Sequence, residues 1–242
     1  MLSIAQSELI QIFRNRLVLV TMLIVPAASS AFYIYMHQTL PALREAVDPG
    51  AIASILVFLV VTMGLYTTSV TTLASRRQNL FLKRLRSTAS GDAGILTGLL
   101  LPVTAVTLVQ VAVILTVLAV VGGAPDNLLL LVAAVLATMV MMAGLGLATA
   151  GLTNSPDHAQ VTTLPIMIGV LAVSGWVGFT GTEELTLLKR LLPGGSASEL
   201  VVNAWSGGVP VADSLFLLAP TLAWVVVAVA AATRIFRWEP RR

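Results

Sequence analysis

Six stretches of this chain run for at least twenty residues without one Asp, Glu, Lys, Arg or His: 17–36, 51–75, 95–121, 128–153, 159–180 and 214–233. A helix of about 20 mostly apolar residues crosses a hydrocarbon core of ~30 Å. Within lipid, a helix is one of the few ways to satisfy every backbone amide and carbonyl. Only 10% of the residues are charged, against about 25% in a typical soluble domain, so the apolar excess must face lipid. The fold class expected is an all-α polytopic membrane protein, a single transmembrane domain over residues 1–242 with those six stretches as transmembrane helices. Cysteine is absent, which excludes disulfides, thiolate metal sites and cysteine catalysis.

Helix-start signals flank several of the runs. Asp48-Pro49, Asp126 and Ser155-Pro156 each place a capping side chain just ahead of one, two of them with proline at the first helical position, and Asp213 does the same before the last. Pro26, Pro102, Pro165 and Pro220 lie inside spans, where proline predicts a kink rather than an end.

Orientation follows from the short connections. With both termini cytoplasmic, that side holds Arg14, Arg16, Arg76, Arg77, Lys83, Arg84, Arg86, Arg234, Arg237, Arg241 and Arg242. The opposite side holds Arg44, Lys189 and Arg190. An excess of Lys and Arg marks the cytoplasmic face. Arg14 and Arg16 followed by "LVLVTMLIV" and "PAASSA" also have the outline of a cleaved signal sequence, but the apolar run continues through "FYIYM" to a full spanning length, which favours a retained span.

Residues 2–16 read as an amphipathic interfacial helix. Leu2, Ala5, Leu9, Ile12 and Phe13 share one face, and Ser3, Ser7, Glu8, Gln11, Arg14 and Asn15 the other. Such a helix either anchors the first span or also offers its polar face to a cytoplasmic partner. Residues 76–90 form the one sizeable cytoplasmic loop. There "SRRQNLFLKRLRS" gathers Arg76, Arg77, Lys83, Arg84 and Arg86, with Gln78, Phe81, Leu82 and Leu85 clustered on a helical wheel and Leu80 among the basic residues. A basic loop fixes topology and holds anionic headgroups. A short helix with an apolar stripe equally suits docking into a groove on another protein. The residues alone leave both open.

Absences narrow the function. There is no G-x-x-x-x-G-K-[ST] phosphate loop, no H-E-x-x-H and no G-x-S-x-G. His37 and His158 are isolated and suggest no metal site. No carboxylates pair inside the spans, whereas ion-coupled carriers keep such groups despite a cost of about 2.5 kcal/mol or more each. Energy for uphill movement would have to enter from a partner.

The chain over nearly its whole length resembles the permease subunit of ABC-2 type ABC transporters, exporters of drugs, antibiotics, lipids and polysaccharides. The likeness is carried in order by "RNRLVLVTMLIVP", "NLFLKRLRSTASGDAGILTGLLLP", "NSPDHAQVTTLPIMIGVLAVSG" and "LLPGGSASELVVNAWSGG". The chain departs from the family at Ala89, where proline is usual, and in the spacing of Trp176 and Phe179 after Ser174-Gly175. The resemblance implies a non-catalytic membrane subunit of an ATP-driven exporter, multi-pass in a bacterial cell (inner) membrane. Its partners would be a cytoplasmic ABC ATPase carrying ATP and Mg, a second permease chain as a homodimer, and membrane lipid, with no nucleic acid. It also implies that Leu80, Phe81, Leu82, Lys83, Arg84, Leu85 and Arg86 belong to a helix that fits the ATPase, with Phe81, Leu82 and Leu85 as its apolar contact. Glu8, Leu9, Ile12, Phe13 and Arg14 of the interfacial helix would form a second contact. Outward transport rests on the resemblance alone.

Residues 181–213 split at Pro193-Gly194-Gly195. Ser196 and Glu199 have capping-box spacing, which predicts a helix from Ala197. The resemblance makes this extracytoplasmic segment a re-entrant pair of short helices; the composition fits an interfacial loop as well. Thr67, Thr71, Thr104, Thr107 and Gln110 are the candidate lining of a substrate path, although hydroxyls bonded to backbone or to another helix are commoner. "AGLGLATAG", 143–151, reads as a close helix-packing surface. The lack of charge within the spans suits an amphipathic or hydrophobic cargo. Two other functions stay in view: a secondary carrier or channel, and a non-transporting immunity or scaffold protein of the membrane.

Overall fold

The computed structural model describes residues 2–87, 91–236 and 238. Eleven helices carry the fold: α1 (Leu2–Arg14), α2 (Val20–Thr39), α3 (Pro41–Ala46), α4 (Pro49–Gln78), α5 (Phe81–Arg86), α6 (Asp92–Gly122), α7 (Leu128–Leu152), α8 (Pro156–Thr180), α9 (Thr186–Leu191), α10 (Gly195–Ser206) and α11 (Val211–Ile235). A helical turn, Arg16–Leu19, leads into α2. No strand occurs among the described residues. Helices α2, α4, α6, α7, α8 and α11 are each long and apolar enough to cross a bilayer, so the all-α polytopic expectation holds. Six crossings bring the last helix back to the side from which the first departs. We call this the near face, and the opposite one the far face. Ala89, Arg237, Arg241 and Arg242 lie outside the described residues.

Three helix starts follow the local chemistry of their caps. Asp48 accepts a hydrogen bond from the Gly50 amide at 2.7 Å, Asn127 from Leu130 at 2.9 Å and Ser155 from His158 at 3.2 Å. Two expectations are corrected here. Asn127 rather than Asp126 caps α7, because the Asp126 and Asn127 amides are turned onto the carbonyls of Trp205 and Ala204. Asp213 sits within the first turn of α11, which starts after Pro210; a carboxylate there favours the positive end of the helix without capping it.

The core is built on α4. It touches α2, α6, α7 and α8, and α10 lies against it at the far face. The small residues of 143–151 explain how α7 packs on two sides. A Cβ on Gly146 would lie 3.4 Å from Ser69 of α4, while one on Gly144 would lie 3.1 Å from the Ala228 Cβ of α11. Close backbone approach is what small residues provide where lipid gives no hydrophobic drive to association.

Two spans contain π-helical stretches, Val20–Ile24 in α2 and Val61–Thr67 in α4, and these face one another. The first precedes Pro26, which has no amide to donate, and the wider turn absorbs that loss. In the second, Thr67 donates to the Thr62 carbonyl at 3.0 Å and Thr68 to Met63 at 3.3 Å. Hydroxyls thus take up carbonyls that a π turn leaves poorly paired.

Between α8 and α11 the chain folds back into the bundle. Gly194, at φ 92°, lets the backbone turn beside Phe58 and Val170, and α10 then wedges against α4, α7 and α8. The predicted capping box does not form. The helix begins at Gly195 after Gly194; Ser196 hydrogen-bonds Thr221 of α11, and Glu199 accepts both Nε and Nη2 of Arg190, at 2.7 and 2.6 Å, and the Thr182 hydroxyl at 2.8 Å. These bonds to Glu199 raise the Arg190 pKa further. Lys189 is 1% exposed. It donates to Gly181 O and Thr180 Oγ1 at the C-terminal end of α8 and lies over the Trp176 ring, a cation where the helix end presents free carbonyls.

Candidate functional site

The basic connection between α4 and α6 is the most distinctive surface of the near face. Asn79 and Leu80 break the helix between Gln78 and Phe81, and Leu80 adopts left-handed backbone angles (φ 56°, ψ 13°). For a residue with a Cβ this costs about 1–2 kcal/mol. The turn directs the six residues of α5 back along the protein, with the Leu80 carbonyl accepting the Arg84 amide. Leu82 is 0% exposed, and Phe81 and Leu85 are packed against the same core. Burial of a side chain like Leu82 is worth about 1.5–3 kcal/mol, enough to hold the helix down. The expected apolar docking face is therefore corrected at Leu82, which is spent on its own chain; Phe81 and Leu85 are half-buried against the same core and keep a partly exposed side.

What α5 presents outward is different. Asn79, Leu80, Lys83, Arg84 and Ser87 line an open depression of about 510 Å³. Leu80, 47% exposed, is the apolar centre of this patch. Arg84 braces the turn by donating to the Asn79 carbonyl at 3.0 Å. Arg86 leans away to Asp92 Oδ1 at 3.0 Å and over the Trp238 ring.

The two arginines that end α4 fasten this patch to the rest of the protein. Arg76 Nη2 lies 2.8 Å from Glu8 Oε2 of α1, also donates to Gln11, and its guanidinium covers the Phe81 ring. Glu8 is 3% exposed and is turned inward onto Arg76, while Gln11, Arg14 and Asn15 of the same polar face are exposed. Ile12 is buried beside it, while Leu9, Ile10 and Phe13 are exposed and Arg14 lies on the surface. Arg77 is 2% exposed and donates to the carbonyls of Ala150, at 3.0 Å, and Thr153. It thereby caps the C-terminal end of α7. The Thr153 hydroxyl in turn meets Thr162 of α8 at 2.7 Å, and Tyr66 of α4 meets Thr149 of α7 at 3.1 Å. Polar contacts thus join α5 and α1 through Arg76, and the end of α4 to α7 through Arg77 and on to α8 through Thr153.

The five candidate lining residues do not converge on one cavity. Thr67, Thr71 and Thr104 donate to carbonyls of their own helices, at Thr62, Thr67 and Leu100. Thr107 is fully buried against Gly64 of α4, and Gln110 donates to the Leu23 carbonyl of α2 at 3.0 Å. Within one protomer only Thr107 and Gln110 join one helix to another. Among the described residues, no three His, Cys, Asp or Glu side chains gather so as to hold a metal ion. His37 instead packs at the far end of α2 with Nε2 3.0 Å from the Val47 carbonyl.

Burial of Arg76, Arg77 and Glu8 was not legible as such, since nothing local marks which basic residue of a loop turns inward. A pair of arginines in the last turn before a helix break, with a carboxylate on a preceding amphipathic helix, is the signal that points to it. A family model described as ABC-2 type transporter matches residues 1–180 of the chain. No curated protein matches it.

Proposed function

Because the chain belongs to the ABC-2 type transporter family and is a membrane permease component of an ABC transporter, we propose that it couples ATP hydrolysis on a separate cytoplasmic ATPase subunit to export of an amphipathic or hydrophobic substrate. The reading is carried by α5: a six-residue helix pinned from within by Leu82, with Leu80, Lys83 and Arg84 on its outer side and the half-buried Arg76 and buried Arg77 at its root. In this reading the near face is cytoplasmic, as the excess of Lys and Arg there favours, and the membrane is a bacterial inner membrane. The ATPase would receive the outer side of α5, with Leu80 entering an apolar cleft and Lys83 and Arg84 meeting acidic rims. Nucleotide and its magnesium would sit on that partner. A second copy of the chain completes the pathway, since the candidate lining residues of one protomer converge on no single cavity.

The test is co-purification. The tagged chain, extracted in mild detergent from its native cells, is expected to bring an ABC ATPase with it, and the Lys83→Glu/Arg84→Glu variant to lose that ATPase while eluting as the parent does. Neither exchange removes a buried contact. Loss of the reading would show as no ATPase with either protein, or equal recovery with both.

A further inference from the structure

Helices α6 and α7 follow one another across a five-residue connection, yet they scarcely touch along their length. Between their far halves runs a slot of about 220 Å³. Its α6 wall is Leu108, Val111, Ala112, Leu115, Thr116 and Ala119, at the spacing of one helical face. The small side chains of Ala112 and Ala119 explain the gap. The α7 wall uses Leu128, Leu131, Val132 and Val135 in the same way, and Trp205 of α10 closes the inner end. The one polar side chain in these walls, Thr116, has its hydroxyl committed to the Ala112 carbonyl at 2.7 Å.

The contents of the slot follow by elimination. Water needs two or more polar partners in such a space, and beyond the committed Thr116 the lining offers at most the indole N–H of Trp205. An empty slot of this size would forfeit the contacts of every side chain lining it. From Leu108 to Ala119 the slot is about 16 Å long at 1.5 Å per residue and over that length narrower than the about 10 Å that a helix of another chain needs. It opens sideways, where Leu128, Val132 and Leu136 are exposed to the hydrocarbon, and its length matches one leaflet, about half of a ~30 Å core. We infer that this slot is a resident lipid site, holding one acyl chain of a phospholipid from the far leaflet against Trp205. This needs only that the chain spans a bilayer, and stands apart from any role in export.

Trp205 is itself the probe, because at 4% exposure it is shielded from lipid that merely surrounds the protein. The full-length protein is reconstituted into phosphatidylcholine vesicles with plain or mid-chain dibrominated acyl groups, and the emission of Trp205 is taken as the difference between the parent and Trp205→Phe. Expected is a marked loss of that emission in the brominated vesicles and its recovery in Ala112→Phe or Ala119→Phe, whose rings fill the slot. A second measurement uses no variant: a phosphatidylcholine carrying a mid-chain diazirine should label residues within 108–119 and 128–136 of the parent protein above the other lipid-facing surfaces. Equal Trp205 emission in the two vesicle types, quenching that survives both fillings, or labelling no stronger there than elsewhere would each overturn the site.

Discussion

Lys189 and Arg77 read in the sequence as ordinary basic residues of connecting loops, and both turn out to be buried cations at the C-terminal end of another helix. The physical reason is general. The last carbonyls of a helix lack amide partners, and a long cationic side chain from a neighbouring element can supply them. Nothing in the spacing of "SRRQN" or "LLKRLL" tells which of two adjacent basic residues is taken, so the apportioning of Arg76 to α1 and Arg77 to α7 was invisible before the packing was known. Lys189→Met, which keeps the bulk and removes the charge, is expected to lower stability in detergent by about 1–2 kcal/mol, read as a lower temperature of aggregation. Gly195→Ala should do far worse. Its Cβ would fall 1.7 Å from the Lys189 carbonyl oxygen, a backbone atom that cannot swing aside, so a loss of more than about 3 kcal/mol is expected. The same thermal assay decides it, and a Gly195→Ala protein as stable as the parent would contradict the packing of α10.

Helix α5 illustrates a different gap between pattern and packing. The spacing of Phe81, Leu82 and Leu85 predicts an amphipathic stripe, but a stripe states only that one face is buried, not by which protein. The left-handed turn at Leu80 decides that here by folding the stripe onto the bundle. The six spans, by contrast, were plain because freedom from charge over twenty residues leaves few alternatives, and the close packing of 143–151 because small residues have little other use in lipid. Helix α1 lies along α6 with Ile12 in the core, and the Arg76–Glu8 pair, both partners largely buried, ties it to α4. Leaving either without the other strands a charge, so Glu8→Gln and Arg76→Gln should each destabilise. The double variant should recover part of the loss, with a coupling of about 1–3 kcal/mol in a thermal double-mutant cycle. Additive single effects would mean that the pair does not hold α1.

The protein is not braced evenly from one face to the other. At the far face α10 is wedged among α4, α7 and α8, and its carbonyls are bonded to the amides that begin α7. At the near face α1 packs along α6 and the end of α4 packs on α7 and α8, but much of α1 and α5 is exposed, and Arg76, Arg77 and the Thr153–Thr162 pair add the polar links. Opening free energy tracks buried contact, so hydrogen exchange is expected to be slowest in α10 and the first half of α4, and fastest in α1 and α5. The reverse order would refute the asymmetry. The paired π stretches of α2 and α4 lie between these two regimes. Mechanically, they are where a fulcrum would have to be. A lever pivoted there would have nearly equal arms, eleven residues of α4 towards α5 and twelve towards the far face, so a stroke at the loop would return at the far face as a tilt of about the same size.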